Sequence, residues 1–482
     1  MKIIRNYLYS VGYQLLIMIV PLITTPYVNR VLGPHGIGIN TYTNTIIQYF
    51  ILFGGFGIAL YGNRQIAYVR ENPFELTKTF WEIQVVHTIG ILAASFIFFI
   101  YLICFARYKW YMTLQFINLV AAAFDISWFF QGLENFKITV LRNTIIKLCC
   151  IVLIFSFIHS KNDIWLYILI YALSTFLGNL TLWPSLRKNL KMHIKIADLK
   201  PWIHFLPTLE LFIPEVAVQI YQTLNKTMLG MIVSTNASGY YYNSDTIIKM
   251  LLGLVTALSS VMLPHVANRF SNGQLENVKK VTYLSFNIIS CVAIALMFGI
   301  ASISFKFAPL FFGKSFTIVG KAMMLESPVI YFAGLSTILG AQYLIPTNQV
   351  KAYTFSLSLG ALISIILNII LIPMLGLYGA IFSTVFAEMA VFYYQLFVIK
   401  KSNQLSVRIL FNSTIKYLVS GIVMFVCVFW LNTNLALNGF TLVLEVMIGI
   451  VIYIIFIIML KTKVSSFIRL YTYKYFNRKG VG

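Results

Sequence analysis

The sequence predicts an all-α polytopic membrane protein that crosses the bilayer about fourteen times, because apolar runs of roughly twenty residues recur along it. Hydrophobic residues make up 59% of its 482 residues and charged residues 10%, whereas soluble domains carry about 25% charged residues. Strands of a membrane barrel would alternate apolar and polar residues over about ten positions, and these runs are continuous. Helices are therefore expected, since they satisfy the backbone hydrogen bonds within the lipid.

The predicted spans are apolar stretches bounded by polar or charged residues. They cover residues 7–27, 38–60, 82–104, 111–130, 141–158, 164–183, 205–232, 240–266, 281–305, 323–345, 352–372, 376–399, 412–431 and 440–460. The opening segment MKIIRNYLYS has no small-residue cleavage site after it. Residues 7–27 are therefore predicted to be the first span rather than a removed signal peptide.

The net charge is +22, and the basic residues that produce it are distributed among the loops as the predicted topology requires. With the N-terminus inside, both termini and most Lys and Arg residues fall on the cytoplasmic side, as the positive-inside rule requires. The predicted outer loops hold few cations, namely Arg30, Arg107, Lys109, Lys161, Lys306, Lys314 and Lys321. No loop is long enough for a catalytic or a nucleic-acid-binding domain, so neither is expected.

Four segments are predicted. Residues 1–183 form an N-terminal six-helix lobe, 184–204 a basic cytoplasmic linker, 205–399 a second six-helix lobe, and 400–482 two further helices with a basic cytoplasmic tail. A weak internal repeat with an offset of roughly 200 residues supports two parallel halves with a site at their interface. The matching segments are 27–33 and 223–230, 40–47 and 240–248, and 63–64 and 268–269.

Charged residues inside spans are costly and are therefore functional candidates. Arg30 ends the first span, and the repeat gives Lys226 the matching position in the second half. Two cations at a central cleft would suit a diphosphate, since guanidinium groups bind phosphate oxygens in pairs. The alternative for Arg30 is an interfacial anchor. Arg64 and Arg70, at the cytoplasmic end of the second span, are either entry contacts for the same group or ordinary positive-inside charges.

Acidic residues inside spans offer two interpretations. Asp245 and Lys249 lie one helical turn apart and are expected to pair, which either fixes helix packing or contacts substrate. Glu210 and Glu215 flank Pro214 in the seventh span, where proline predicts a bent helix. These two carboxylates either couple transport to a cation or belong to a hinge. The remaining charges inside spans include Asp125, Lys147, Glu388 and Glu445.

Asp125 is a further candidate for coupling to H⁺ or Na⁺, and the sequence does not identify the ion. The six histidines and five cysteines are dispersed, without an HExxH pattern or any Cys/His pairing. A GxxxxGK[ST] phosphate-binding loop is also missing from the sequence. We therefore expect no catalytic residue, no metal site and no bound cofactor.

Several segments resemble one family. PLITTPYVNRVLGPHGIG at residues 21–38 is similar to the first-span signature of the polysaccharide transporter (Wzx-type) oligosaccharide flippases, and YGNRQIAYVR at 61–70 is a second match. Shorter matches are GYYYNS at 239–244, VMLPHVAN at 261–268, QYLIPT at 342–347 and NIILIPMLGLYGA at 368–380. Two residues depart from the pattern: His35, where an acidic residue is commoner, and His265, where arginine is common. The second departure removes the expectation of a basic contact at position 265.

The resemblance, which covers nearly the whole chain, implies the fold of the multidrug/oligosaccharidyl-lipid/polysaccharide (MOP) exporter superfamily. That fold has two six-helix bundles in a V shape, here with two extra C-terminal helices. The implied function is that of a flippase and not of an enzyme. It would move an oligosaccharide linked to undecaprenyl diphosphate from the inner to the outer leaflet of a bacterial cytoplasmic membrane by alternating access. The oligosaccharide would be a precursor of capsule, O-antigen or teichoic acid. Arg30, Arg64 and Arg70 fall on family-typical basic positions that would hold the diphosphate.

The implied partners are the lipid-linked oligosaccharide, membrane lipids, and the polymerase and glycosyltransferases of the same pathway. A monomer is expected. One alternative is a cation-coupled multidrug antiporter of the same fold, which would favour carboxylates around a cationic drug, whereas the first span carries no acid and ends in Arg30. The other is a membrane glycosyltransferase or polymerase, which would need a sizeable outer loop with acidic groups.

Overall fold

The computed structural model describes residues 2–186, 189–190, 194–271, 273–402 and 405–466. Contacts within the chain divide it into two compact units, Met1–Gly239 and Tyr240–Gly482. The described residues form helices and connecting turns, without a strand. The all-helical fold class is therefore confirmed, while the predicted lobe boundaries stay predictions. Parts of the predicted linker (187–188 and 191–193) and most of the predicted basic tail (467–482) lie outside the described residues.

The described part of the first unit contains nine complete helices and the beginning of α10. Their bounds are α1 Lys2–Gly55, α2 Ile58–Val69, α3 Pro73–Cys104, α4 Lys109–Ala123, α5 Ser127–Gly132, α6 Phe136–Phe157, α7 Ile164–Leu180, α8 Trp183–Leu186 and α9 Phe205–Met228. Short 3₁₀ turns lie at Lys161–Asp163, Ile196–Asp198 and Pro201–His204, and a π-helical turn at Leu229–Val233 follows α9.

The second unit contains most of α10 and the remaining helices. They are α10 Thr235–Ser271, α11 Leu275–Phe312, α12 Thr317–Glu326, α13 Pro328–Thr337, α14 Val350–Leu375, α15 Leu377–Ser402, α16 Val407–Leu410, α17 Thr414–Asn434 and α18 Gly439–Met459. A 3₁₀ turn lies at Lys314–Phe316 and a π-helical segment at Ile338–Leu344. The helices α12 and α13 meet at a bend of 45°, where Pro328 begins α13.

Every predicted span overlaps a helix of the structure. By length and apolar composition, ten helical segments of the described chain could cross a membrane, or eleven with the bent α12–α13 pair. One of the ten, Ile19–Val69, has 51 residues. At 1.5 Å per residue it would extend about 77 Å, more than twice the roughly 30 Å of hydrocarbon, so it can hold two of the predicted spans. The exact number fourteen stays a prediction.

The backbone of α1 breaks at Gly33. This residue has φ 68° and ψ 179°, a conformation that residues with a Cβ rarely adopt. A second interruption follows at Phe56 and Gly57, whose φ angles are 45° and 75°. The break at Gly33 separates the predicted first and second spans, and the break at Phe56 and Gly57 interrupts the predicted second span shortly before its end.

A cluster of aromatic side chains fixes α2 in the first unit. Trp128 of α5 stacks on Phe80 of α3 with ring centroids 5.6 Å apart, and both side chains are buried. Gly62 of α2 lies so close to Trp128 that a Cβ there would be 2.5 Å from the indole ring. This close approach holds the face of α2 that carries Tyr61 and Ile66 in the core.

One sequence-based assignment is wrong. Lys306 was predicted to lie in an outer loop, whereas it lies within α11 and is buried. Its ammonium group is 2.8 Å from Oε1 of Glu445 on α18. Because the Glu445 carboxylate pairs with the Lys306 ammonium, the lysine can be buried, and α11 continues past the predicted end of the span.

Candidate functional site

Arg64 lies exposed on α2, with its guanidinium 5.6 Å from the centroid of the Tyr61 ring. Tyr61 is buried, and its hydroxyl oxygen is 2.7 Å from Nδ1 of His204. Nε2 of His204 is 3.0 Å from Oε2 of Glu82, whose Oε1 accepts a hydrogen bond of 2.7 Å from the backbone N–H of Lys200. These contacts fix the aromatic ring beneath Arg64 and tie residues 200–204 to α3.

Neither Glu82 nor His204 belongs to the predicted site residues, although both are buried. A signal was available for one of them, since Glu82 is an acidic residue at the start of an apolar span and a buried carboxylate needs partners. Its partner His204 is 122 residues away in the sequence. The contact between the two side chains is therefore visible only in the folded structure.

Arg70 caps the C-terminal end of α2 and forms a salt bridge with Glu134, at 2.8 Å between Nη1 and Oε1. Both side chains are exposed. The hydrogen bond and the negative charge of Glu134 raise the pKa of Arg70. Arg70 therefore has an ionic partner within the chain that sequence spacing did not indicate, and its role at the entry side stays a prediction.

Arg30 lies exposed on α1, shortly before the break at Gly33. The preceding turn is anchored by Tyr27, whose hydroxyl donates a hydrogen bond of 2.5 Å to the carbonyl oxygen of Ile158 after α6. On the other side of the break, a Cβ at Gly36 would be 3.0 Å from the side chain of Ile164. Arg30 therefore belongs to a segment packed against the α6–α7 connection.

Lys226 lies in the last turn of α9 and is half-buried. Its carbonyl oxygen accepts a hydrogen bond of 2.8 Å from Ser238. The end of α9 packs on α1, where Thr227 donates a hydrogen bond of 3.4 Å to the hydroxyl of Tyr49. Arg30 and Lys226 therefore lie in the same compact unit, and their joint contact with a ligand stays a prediction.

Asp245 and Lys249 form the expected ion pair on α10, at 3.0 Å. Asp245 is buried and Lys249 is exposed. The neighbouring Ser244 donates a hydrogen bond of 2.5 Å to Oε2 of Glu326 on α12, a fully buried carboxylate that was not predicted as a site residue. The pair thus lies beside a packing contact between helices, and a substrate role for it stays a prediction.

Asp125 lies between α4 and α5, where its Oδ1 accepts a hydrogen bond of 2.9 Å from the backbone N–H of Ser127. It lines a cavity of about 200 Å³ together with His87 and Gln219. Of the predicted coupling or hinge residues on α9, Glu210 is exposed. The side chains of Pro214 and Glu215 lie outside the described residues.

Among the residues that the structure describes, no group of three or more His, Cys, Asp or Glu side chains could hold a metal ion. The residues predicted to contact a diphosphate are cations. Those in the first unit are Arg64 on α2, Arg70 just after α2, Arg30 on α1 and Lys226 on α9.

Residues 3–270 match the family described as polysaccharide biosynthesis protein. The chain belongs to this family. The resemblance seen in the first spans is thereby confirmed, and the family match extends through α9 and nearly to the end of α10.

Individual proteins are similar over most of the chain. The putative O-antigen transporter of Escherichia coli (strain K12) is 24% identical over 379 residues, which cover 75% of this chain and 88% of that protein. The solved structure of lipid II flippase MurJ in an inward closed conformation has a TM-score of 0.76 at 17% identity, covering 95% of this chain and 98% of that one. An inward-facing multidrug resistance MATE transporter of the MOP superfamily has a TM-score of 0.59 at 13% identity, covering 80% and 96%. The fold of this multi-pass membrane protein is therefore the MurJ- and MATE-like fold.

Proposed function

We propose that this protein moves an oligosaccharide linked to undecaprenyl diphosphate from the inner to the outer leaflet of a bacterial cytoplasmic membrane. Membership of a polysaccharide biosynthesis family supports this role. The relative from Escherichia coli is named an O-antigen transporter, and the MurJ structure is that of a lipid II flippase. These names favour a transporter over a glycosyltransferase or polymerase.

The observation that carries the proposal is the Arg64 guanidinium, which is exposed above the ring of buried Tyr61. Because His204 fixes the Tyr61 hydroxyl, the guanidinium has a rigid aromatic support. A supported guanidinium loses little freedom when it binds, and its planar array of N–H groups matches the oxygens of a phosphate. A diphosphate headgroup is the part of the substrate that offers such oxygens.

In the proposed cycle Arg64 and Arg70 admit the diphosphate from the cytoplasmic side, and Arg30 with Lys226 holds it. The sugars occupy a polar cavity while the polyprenyl chain stays in the lipid. The two halves then exchange access between the leaflets, and no covalent bond is made or broken. H⁺, Na⁺, the membrane potential or consumption of the sugar on the outer side would supply the driving force. The polymerase and glycosyltransferases of the pathway would be the partners.

The test uses cells in which this protein is depleted and replaced by variants. Lipid-linked repeat units are scored by leaflet after complementation with the unchanged protein, Arg64→Ala or Arg64→Lys. A charged hydrogen bond contributes about 1.5–3 kcal/mol, so Arg64→Ala should slow flipping roughly ten- to a hundredfold. Arg64→Lys should recover part of the rate, since lysine keeps the charge but not the planar fork.

Arg107→Ala is the matched control, because Arg107 is also exposed and also lies 5.6 Å from a tyrosine ring, that of Tyr108. At equal expression it should leave flipping unchanged. Normal leaflet distribution in depleted cells, combined with altered efflux of cationic drugs, would overturn the proposal in favour of an antiporter.

A further inference from the structure

A cavity of about 200 Å³ lies in the first unit, beside the break between α1 and α2. Residues of α1 to α5 and of α9 line it. Its volume is below the roughly 300–1,000 Å³ typical of small-molecule sites, but it can hold several water molecules, each of which takes roughly 30 Å³ in the liquid. A lipid-linked oligosaccharide is too large for this cavity, which therefore requires a small occupant.

Two buried side chains that line the cavity carry a nitrogen without a hydrogen-bond partner in the described part of the chain. These are Nε1 of Trp128 on α5 and Nδ1 of His87 on α3. The two residues are 2% and 7% exposed. A buried polar atom without a partner is costly, so such atoms in folded proteins usually bind water or a ligand. The partners of both nitrogens are therefore expected inside the cavity.

The polar groups of the cavity wall disfavour a metal ion and an anion. The indole N–H of Trp128 can only donate a hydrogen bond, so its positive end faces a cation unfavourably. Hard cations also prefer oxygen ligands to the ring nitrogen of His87. The carboxylate of Asp125, whose Oδ1 accepts a hydrogen bond of 2.9 Å from the backbone N–H of Ser127, repels an anion. Water both donates and accepts, and it therefore suits all of these groups.

His87 and Asp125 are the titratable side chains among the described residues that line the cavity. An ionised carboxylate and a neutral imidazole together carry one negative charge, which is costly away from bulk water. One proton removes that charge, and water between the two side chains allows either of them to hold it. Two groups in this relation take up protons as a pair.

The neighbouring charged groups do not replace this pair. The described residues that α1 and α2 contribute to the cavity are uncharged. Glu82 on α3 is paired with His204 at 3.0 Å and does not line the cavity. On α9, Gln219 lines the cavity, and Glu215 precedes it by one helical turn. The side chain of Glu215 lies outside the described residues, so the experiment tests it separately.

The cavity borders the point where the backbone breaks between α1 and α2. Gly55 and Gly57 line it, and Gly57 has a φ of 75°. A few residues at the end of a helix can absorb the backbone changes of a hinge. The helix that follows, α2, begins with Ile58 at the cavity and carries Arg64. A change of charge in the cavity therefore acts on the first turn of the helix that holds the proposed diphosphate contact.

We propose that this cavity is a proton site that couples H⁺ to the position of α2. It takes up one proton, which Asp125 and His87 share through water, and the gain or loss of this proton changes how the first turn of α2 packs. The inference rests on the proposed function for its effect on flipping. Proton uptake is a property of the protein alone and can be measured without the lipid-linked substrate.

The first experiment measures proton uptake by infrared difference spectroscopy of the purified full-length protein in vesicles of phosphatidylethanolamine and phosphatidylglycerol. Lowering the pH should produce a C=O band of a protonated carboxyl that is missing in Asp125→Asn. Asparagine is a mild replacement, because its side-chain oxygen can still accept the hydrogen bond from Ser127. The control Asp198→Asn, at an exposed position of the linker, and Glu215→Gln should both keep the band.

Two further changes test the partner and the ion. His87→Gln should move the pH midpoint of the carboxyl band by roughly one pH unit, a tenfold change in proton affinity, because two groups that share a proton titrate together. Replacing Na⁺ by K⁺ at equal ionic strength should leave the midpoint unchanged.

The second experiment measures flipping in the depletion strain, by leaflet scoring of lipid-linked repeat units. Asp125→Asn should slow flipping roughly 5- to 150-fold, the range typical of coupled sites. Asp125→Glu should recover part of the rate, since it restores a carboxyl that can bind the proton. A protonophore should slow flipping by the unchanged protein without slowing Asp125→Asn further.

Each other outcome overturns the proposal. A carboxyl band that persists in Asp125→Asn would place the proton elsewhere, and its loss in Glu215→Gln would assign it to α9. A midpoint that moves with Na⁺ would make the cavity a sodium site. Unchanged flipping in Asp125→Asn would separate the proton from transport. Failure of the proposed function is a different result, because a normal leaflet distribution in depleted cells would leave the carboxyl band in place.

Discussion

Lys306 on α11 and Glu445 on α18 form an ion pair of 2.8 Å in which both side chains are almost completely removed from solvent. The carboxylate also accepts a hydrogen bond of 2.6 Å from Nδ2 of Asn432 on α17. The pair thus connects three helices, including both helices that were predicted to be additional to the six-helix lobes. A buried charge of this kind is stable only while its partner is present.

Lys306→Met should therefore destabilise the protein by about 3–5 kcal/mol, because it leaves Glu445 buried without its cation. The double variant Lys306→Met/Glu445→Leu should recover most of the loss, since no unpaired charge remains. Thermal unfolding of the purified protein in detergent measures both. Lys314→Met, at an exposed site, is the control; a double variant as unstable as the single one would contradict the assignment.

Glu82→Ala should release the segment at residues 200–204 from α3. The change removes the acceptors of the Lys200 N–H and of His204, and an unsatisfied buried partner costs about 1–3 kcal/mol. Chymotryptic cleavage after the exposed Trp202 should then be roughly tenfold faster, which corresponds to about 1.4 kcal/mol of local stability. Glu71→Ala, at an exposed position, should leave the cleavage rate unchanged. If both variants accelerated cleavage equally, the hydrogen bonds to Glu82 would not be what holds residues 200–204 on α3.

Arg70→Ala should reduce flipping less than Arg64→Ala does. Arg70 already has Glu134 as its ionic partner, whereas Arg64 is supported by the ring of Tyr61. Leaflet-specific scoring of lipid-linked sugars in the depletion strain compares the two. Glu134→Gln, which frees Arg70, serves as the third arm and should not slow flipping. A larger loss for Arg70→Ala would reverse the order of importance proposed for the two arginines.

Gly62→Val should destabilise the first unit by about 1–3 kcal/mol, because the new side chain meets the indole of Trp128 where a Cβ alone would be at 2.5 Å. It should also reduce flipping, since α2 carries Arg64. Melting temperature and leaflet scoring measure the two effects. Gly55→Ala is the matched control, because nothing lies within 4 Å of its Cβ position. An unchanged melting temperature of Gly62→Val would mean that α2 and α5 can move apart without a measurable loss of stability.

The sequence by itself determined the membrane environment, the helical class and the family, because apolar runs of span length and the segment at 21–38 are local properties of the chain. It also predicted the Asp245–Lys249 pair, whose members are one turn apart on a single helix. Interactions within one helix follow from its period alone, and so they can be predicted before the fold is known.

Only the tertiary structure decided which polar side chains meet between distant segments of the chain. Glu82 and His204 are 122 residues apart, and Lys306 and Glu445 are 139 residues apart. Neither pair has a local signature. The predicted span 281–305 ends just before Lys306, because hydropathy treats a charge inside a span as costly. A buried cation is stabilised by a partner from a distant helix. Hydropathy is calculated from neighbouring residues in the sequence and therefore cannot include that partner.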